Sequence, residues 1–176
     1  GVMAANNEVG TLQPVKEISA LARARGIAFF TDAVQAAGTM KLDVKELGTD
    51  MLSLSGHKFY GPKGVGALWL KKGTRIARLI SGGQQEGGLR GGTTNVAGVV
   101  GMAEALSIAC ADLEENGDKV RALRDKFLSV LLSGVEDARL VGDEINRLPS
   151  NANVAFSGCR GIEIIFALDR QGVCVS

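Results

Sequence analysis

Residues 1–70 alternate short apolar runs with stretches of helical period, and this alternation restricts the fold more than any other feature. "GVMAANN" reads as a strand cut in half, because its apolar run begins at residue 1 with no cap before it. "PVKEISALARARG" places Val15, Ile18, Leu21 and Ala22 on one helical face, with Pro14 at the first helical position and Gly26 as a stop. "IAFFTD" reads as a buried strand ending in Asp32, and "MLSLS" as another ending at Ser55. Between them "DVKELG" carries the D-x-x-E pattern of a capping box, so Asp43 is expected to start a short helix. "VGALWL" reads as a further strand. Strands alternating with helices imply βαβ units and a largely parallel sheet. Ligands of such sheets bind beyond the carboxyl ends of the strands. Asn6-Asn7, Asp32 and Ser55–Lys58 all follow strand-like runs, so all are expected on that one rim.

Further on, Asn95 is placed to cap a helix running from Val96, with Met102, Ala105, Leu106 and Ala109 in helical period and Gly117 as its interruption. A second helix carries Val120, Leu123, Phe127, Val130 and Leu131. "NVAFSG" reads as a strand, "GIEIIFALDRQG" as a helix and "VCVS" as a truncated strand. Composition shifts near residue 112 from glycine-rich loops to charged amphipathic helices, which sets an expected domain boundary there.

With 176 residues the chain is long enough for one substantial domain or two small ones. Its 45% hydrophobic and 22% charged residues suit a soluble globular protein. A formal net charge of +1, no basic block and 5% aromatic residues argue against nucleic acid as a partner. No window has the roughly 18 apolar residues of a membrane span, and "GVMAANNEVG" lacks the pattern of a signal peptide. Cys110, Cys159 and Cys174, with a single histidine, do not suit a disulfide framework or zinc site, so a reducing cytoplasm is the default. Cys110 and Cys174 read as small core residues, Cys174 because it alternates with Val173 and Val175. Cys159 reads as exposed and mildly activated by Arg160.

The chemistry centres on "SGHKFYGPKGVGAL", where the only histidine precedes a lysine at a strand end. Its glycines fit neither G-x-x-x-x-G-K-[ST] nor G-x-G-x-x-G, so a nucleotide loop is not supported. Pyridoxal phosphate instead needs a lysine, an acid beside its ring nitrogen, and donors for its phosphate and phenolic oxygen. Asp32 and Lys58 offer the acid and the lysine across one rim. Taken singly, Asp32 also reads as a turn residue, Lys58 as a solvated charge and His57 as a hydrogen-bonded structural residue.

Taken together, "NNEVGTLQPV", "TDAVQAAG", "SLSGHKFYGPKGVGAL" and "GGQQEGGLRGGTTNVAG" resemble the cysteine desulfurases of the nitrogen-fixation and iron–sulfur-assembly type. These are class V members of the fold-type-I pyridoxal phosphate enzymes. The resemblance runs through the whole chain, closest over residues 1–101. It implies an α/β fold, a mostly parallel sheet flanked by helices, followed by the start of a small α+β domain. Residues 1–112 would be the second half of the cofactor domain and 113–176 the first part of the small domain. Lys58 would form the internal aldimine and move protons at the substrate's alpha carbon. His57 and Ser55 would hold the phosphate, Asp32 would pair with the ring nitrogen, and Asn7 and Gln35 would contact the phenolic oxygen side. Thr93 matches a threonine that completes the phosphate site of the partner subunit, which implies a homodimer. Its other reading is a helix-entry residue before Asn95.

The intact enzyme would convert L-cysteine to L-alanine and pass sulfur to an acceptor or scaffold protein. A selenocysteine lyase, a small-amino-acid aminotransferase and a non-catalytic domain of the same fold are the alternatives. Related enzymes also carry a ring-stacking histidine upstream and a sulfur-accepting loop cysteine and carboxylate-binding arginine downstream. The chain is therefore expected to be an internal fragment, inactive by itself.

Overall fold

A computed structural model describes residues 1–176. Four strands, β1 (Val2–Met3), β2 (Phe30–Asp32), β3 (Met51–Ser55) and β4 (Gly66–Leu70), form one sheet in that order. The first three are parallel, with Met3, Asp32 and Ser53 in register across the sheet. Thr31 is fully buried between them and donates its hydroxyl to the Val2 carbonyl at 3.0 Å. β4 runs antiparallel to β3, the one antiparallel neighbour in the largely parallel sheet expected from the sequence. Residues 56–65 explain this: a parallel return needs a crossover of about a dozen residues or more, usually a helix.

Helix α1 (Val15–Ala24) connects β1 to β2 and packs Val15, Ile18 and Ala22 against the sheet as its apolar period predicts, but Leu21, expected on the same face, is exposed. The short α2 (Val44–Leu47) starts at Asp43, whose carboxylate accepts from the amides of Lys45 and Glu46 at 2.7 and 3.3 Å. Ala4, Ala5, Val15, Phe29, Ala33, Ala36, Leu52 and Leu148 make the main core. Burying apolar side chains of this kind contributes about 25 cal/mol per Å² removed from water.

Helix α3 (Val96–Ala111) begins at Asn95, which accepts from the Gly98 amide at 3.0 Å, the cap expected from the sequence. It ends at Asp112, and α4 (Leu113–Gly134) leaves at 70° to it. The break therefore lies ahead of Gly117, which sits inside α4. A helix interior tolerates a single glycine at a cost of about 1 kcal/mol. Glu114 and Glu115 in the first turn of α4 favour a new helix start there, since carboxylates are stabilised at helix N-termini.

Beyond α4, β5 (Ala138–Leu140) and β6 (Val154–Phe156) pair antiparallel, and α5 (Gly161–Asp169) follows. β5 has no distinct sequence signal, whereas β6 and α5 match their expected runs. "VCVS" is not a strand: residues 173–176 pair with no other segment, and Cys174 is exposed rather than buried. Cys110 is also exposed on α3, contrary to its reading as core, and Cys159 is exposed as expected. No single helix is long and apolar enough to cross a membrane.

Candidate functional site at the sheet rim

The carboxyl ends of the three parallel strands deliver their side chains to one edge. Asp32 closes β2, and its Oδ1 accepts from the Val34 amide at 2.9 Å and the Ser53 hydroxyl at 3.1 Å. Both donors grip the same oxygen, so the carboxylate is oriented while Oδ2 stays free for another donor. Sequence reading missed Ser53. A signal existed, because Ser53 and Ser55 are two residues apart and share one face of β3.

Ser55 ends β3, and its hydroxyl lies 2.9 Å from Nδ1 of His57. The chain then makes a single 3₁₀ turn, Gly56–Phe59, which carries His57 and Lys58 outward, both exposed. Phe59 anchors this turn. It is 2% exposed and packs with Ala37 and Met102, so helix α3 supports the lysine from below. The Gly61 amide closes the turn on the Gly56 carbonyl at 2.9 Å. A Cβ on Gly61 would stand 2.9 Å from that carbonyl oxygen, so a side chain at this position would force the turn open. Here the lysine is presented by a rigid, anchored turn rather than by a loose loop.

Asn7 lies past the end of β1 and is exposed. Its neighbour Asn6 organises the turn, accepting from the amides of Glu8 and Val9, each at 2.9 Å. Gln35 is half-buried in the turn that follows β2. Thr93 stands apart from this group in sequence, exposed in the glycine-rich segment before Asn95. The parallel strands thus end at Asp32 and Ser55, with Asn7, Gln35, His57 and Lys58 in the segments that follow β1, β2 and β3, and Thr93 in the loop leading into α3.

This donor set offers one oriented carboxylate, two amides, a hydroxyl–imidazole pair and a primary amine. Such a set fits an aldehyde-bearing pyridine phosphate, which needs an anionic partner for its ring, an amine for its aldehyde and donors for its phosphate. No group of three or more His, Cys, Asp or Glu side chains converges as metal ligands. Two clefts lie away from the rim. One of about 330 Å³ opens between α4 and the segments at Met40 and Arg147, and another of about 490 Å³ lies near Arg23, Asp50 and Arg75. Neither is lined by a residue of the rim set.

Comparison with known proteins agrees with this architecture. The chain is 47% identical over 175 residues to a cysteine desulfurase IscS of Dictyoglomus turgidum, covering 99% of this chain and 44% of that protein. A solved NifS-like protein superposes with a TM-score of 0.93 at 41% identity, over 99% of this chain and 48% of the other. SspA, solved in complex with cysteine, gives a TM-score of 0.76 at 32% identity, over 99% and 47%. The chain thus spans less than half the length of the relatives it matches. The aminotransferase class-V family profile matches residues 1–176 from end to end, and the chain belongs to that family.

Proposed function

We propose that this chain is part of a pyridoxal-phosphate-dependent cysteine desulfurase. The whole enzyme transfers the sulfur of L-cysteine to an enzyme thiol, leaving L-alanine and a persulfide for iron–sulfur assembly or thiolation. The observation that carries the reading is the rim itself: Asp32 oriented by Ser53 and Val34 on β2, beside the anchored turn that presents Lys58 after β3. The cysteine desulfurase relative and the structure of SspA with cysteine support the substrate.

Pyridoxal phosphate, when bound, supplies an electron sink for a carbanion at the substrate's alpha carbon. Lys58 is the point of covalent attachment and holds or returns the proton at that carbon. Asp32 favours the protonated ring nitrogen, because an opposite charge at hydrogen-bond distance stabilises the cation. Ser55 and His57 hold the phosphate, and Asn7 and Gln35 orient the ring from its phenolic oxygen side. Thr93 reaches the phosphate of the partner subunit's site in a cytoplasmic homodimer, and a sulfur-acceptor or scaffold protein takes the product. We assign residues 1–112 to the second half of the cofactor domain and 113–176 to the first part of the small domain. The bend at Asp112 and the separate two-stranded sheet β5–β6 support that division.

The test is borohydride reduction of the cofactor-loaded protein that carries this chain, followed by peptide mapping. The reduced cofactor is expected on Lys58, and a label on Lys63 instead would overturn the assignment.

A further inference from the structure

The turn that carries Asn7 is held from a distance. Asn151 Nδ2 donates to the Glu8 carbonyl at 2.8 Å and Asn153 Nδ2 to the same oxygen at 3.1 Å. Arg147 Nη2 donates to the Val9 carbonyl at 2.7 Å. Backbone bonds continue the seam: the Leu148 amide meets the Gly10 carbonyl at 2.9 Å, and the Leu12 amide meets the Asn146 carbonyl at 2.8 Å. These contacts join segments more than 130 residues apart in the chain.

Arg147 is the only charged side chain among the buried residues, at 4% exposure, and forms no ion pair. Its Nη2 serves carbonyl and amide oxygens, those of Val9, Val141 and Asn151. Burying a charge without an acid partner is costly. Its Nη2 gains charge-assisted bonds, which are stronger than neutral ones, while Nε and Nη1 are buried without a partner, so the cost is offset only in part. Gly10 completes the fit. It has φ +75, and a Cβ there would collide with Cγ of Asn151, displacing the amide that reaches Glu8.

We infer that Arg147, Asn151 and Asn153 are positioning residues that clamp the Glu8 and Val9 carbonyls and so fix where the Asn7 amide stands on the rim. The inference rests on the reading of Asn7 as a contact to the cofactor's phenolic oxygen side. The mechanics follow from peptide planarity. Asn6 Oδ1 holds the Glu8 N–H, which lies in the same peptide plane as the Asn7 carbonyl. Asn151 and Asn153 hold the next plane through the Glu8 carbonyl. With both planes pinned, Asn7 loses its backbone freedom on the C-terminal side. The region after α4, which contributes none of the rim side chains, thereby reaches the site through one turn.

The test uses the full-length protein loaded with pyridoxal phosphate and reads the pH midpoint of its visible absorbance band. A donor to a phenolic oxygen stabilises its anionic form, so losing that donor raises the midpoint. Asn7→Ala is expected to raise it by about one pH unit, the equivalent of one hydrogen bond. Asn151→Ala and Asn153→Ala are expected to raise it by about half as much, and Asn7→Ala/Asn153→Ala no further than Asn7→Ala alone. Asn153→Ser is the milder variant should either alanine variant fail to fold. A purely structural role would lower the melting temperature and leave the band where it was. Wild-type midpoints in the clamp variants, with Asn7→Ala shifted, would overturn the clamp. Shifts that simply add in the double variant would overturn it as well. An unshifted Asn7→Ala would instead sink the reading of Asn7, and the clamp with it.

Discussion

The chain divides into two regions that use apolar residues differently. Up to Asp112 they close around the four-stranded sheet, and 17 of the 20 buried residues lie there. Beyond Asp112 the apolar face of α4 stays open: Leu123, Phe127 and Val130 are 69%, 53% and 67% exposed. Helix α1 in the first region and α4 in the second both carry an apolar helical period. Period therefore reports which face of a helix is apolar, and only the surrounding chain decides whether that face is covered. The rim is precise because its supports are buried. The second region touches the rim chiefly through polar bonds around the Asn7 turn.

The largest expected effect breaks this contrast most directly. Phe59 and Phe127 are the same residue in the two regions, 2% and 53% exposed. Phe59→Ala is expected to cost about 3–5 kcal/mol of stability, as a buried aromatic deletion does. Phe127→Ala is expected to cost under about 1 kcal/mol in the 176-residue chain. Denaturant unfolding of both variants measures the difference. Equal losses would mean that α4 is packed as tightly as the lysine turn, and the contrast would fail.

Asp32→Asn sharpens the comparison within the rim. The side chain keeps its shape and an oxygen for Val34 and Ser53, so unfolding should hardly change. Losing the charge opposite the ring nitrogen is expected to cost about 1.5–3 kcal/mol of transition-state stabilisation, roughly 10- to 150-fold in kcat/KM. Kinetics of the full-length variant with cysteine check this, and ordinary turnover would remove Asp32 from the mechanism.

The rim was legible in the sequence because strand ends are local: an apolar run that stops at Asp32 or Ser55 places that residue on the edge. Asp43 and Asn95 were legible as caps for the same reason, since each bonds to amides two or three residues away. "VCVS" failed because alternation supplies a pattern but no partner strand, and here none pairs with it. Cys110 failed because α3 is apolar on several sides, with Val96, Val100 and Ile108 at least 60% exposed, so its period left the buried face unspecified. The grip of Arg147 on Val9 had no local signature at all, since 138 residues separate the two.

The smallest expected effect compares a carboxylate in each region. Asp143 accepts from the backbone N–H groups of Asn146 and Ile145, which hold its carboxyl below the ordinary range, with a smaller contribution from the Arg147 charge. Asp43 is lowered in the same way by the amides of Lys45 and Glu46. A carboxyl whose pKa is depressed in the folded state adds stability above its unfolded pKa, near 3.9, and loses that contribution as pH falls through the folded value. Both groups therefore contribute in full at neutrality, and that contribution is lost only below about pH 4. Thermal melts between pH 5 and pH 2 should fall less steeply for Asp143→Asn and for Asp43→Asn than for the wild type. The two differ in reach. Asp143 closes the turn that leads into Arg147, so its protonation should also loosen the seam at Val9 and Gly10, seen as faster exchange of the Leu12 and Leu148 amides. Protonating Asp43 should free only the start of α2. Equal loosening of the Leu12 and Leu148 amides in both variants would mean that the seam answers to general acid stress and not to the turn beside it.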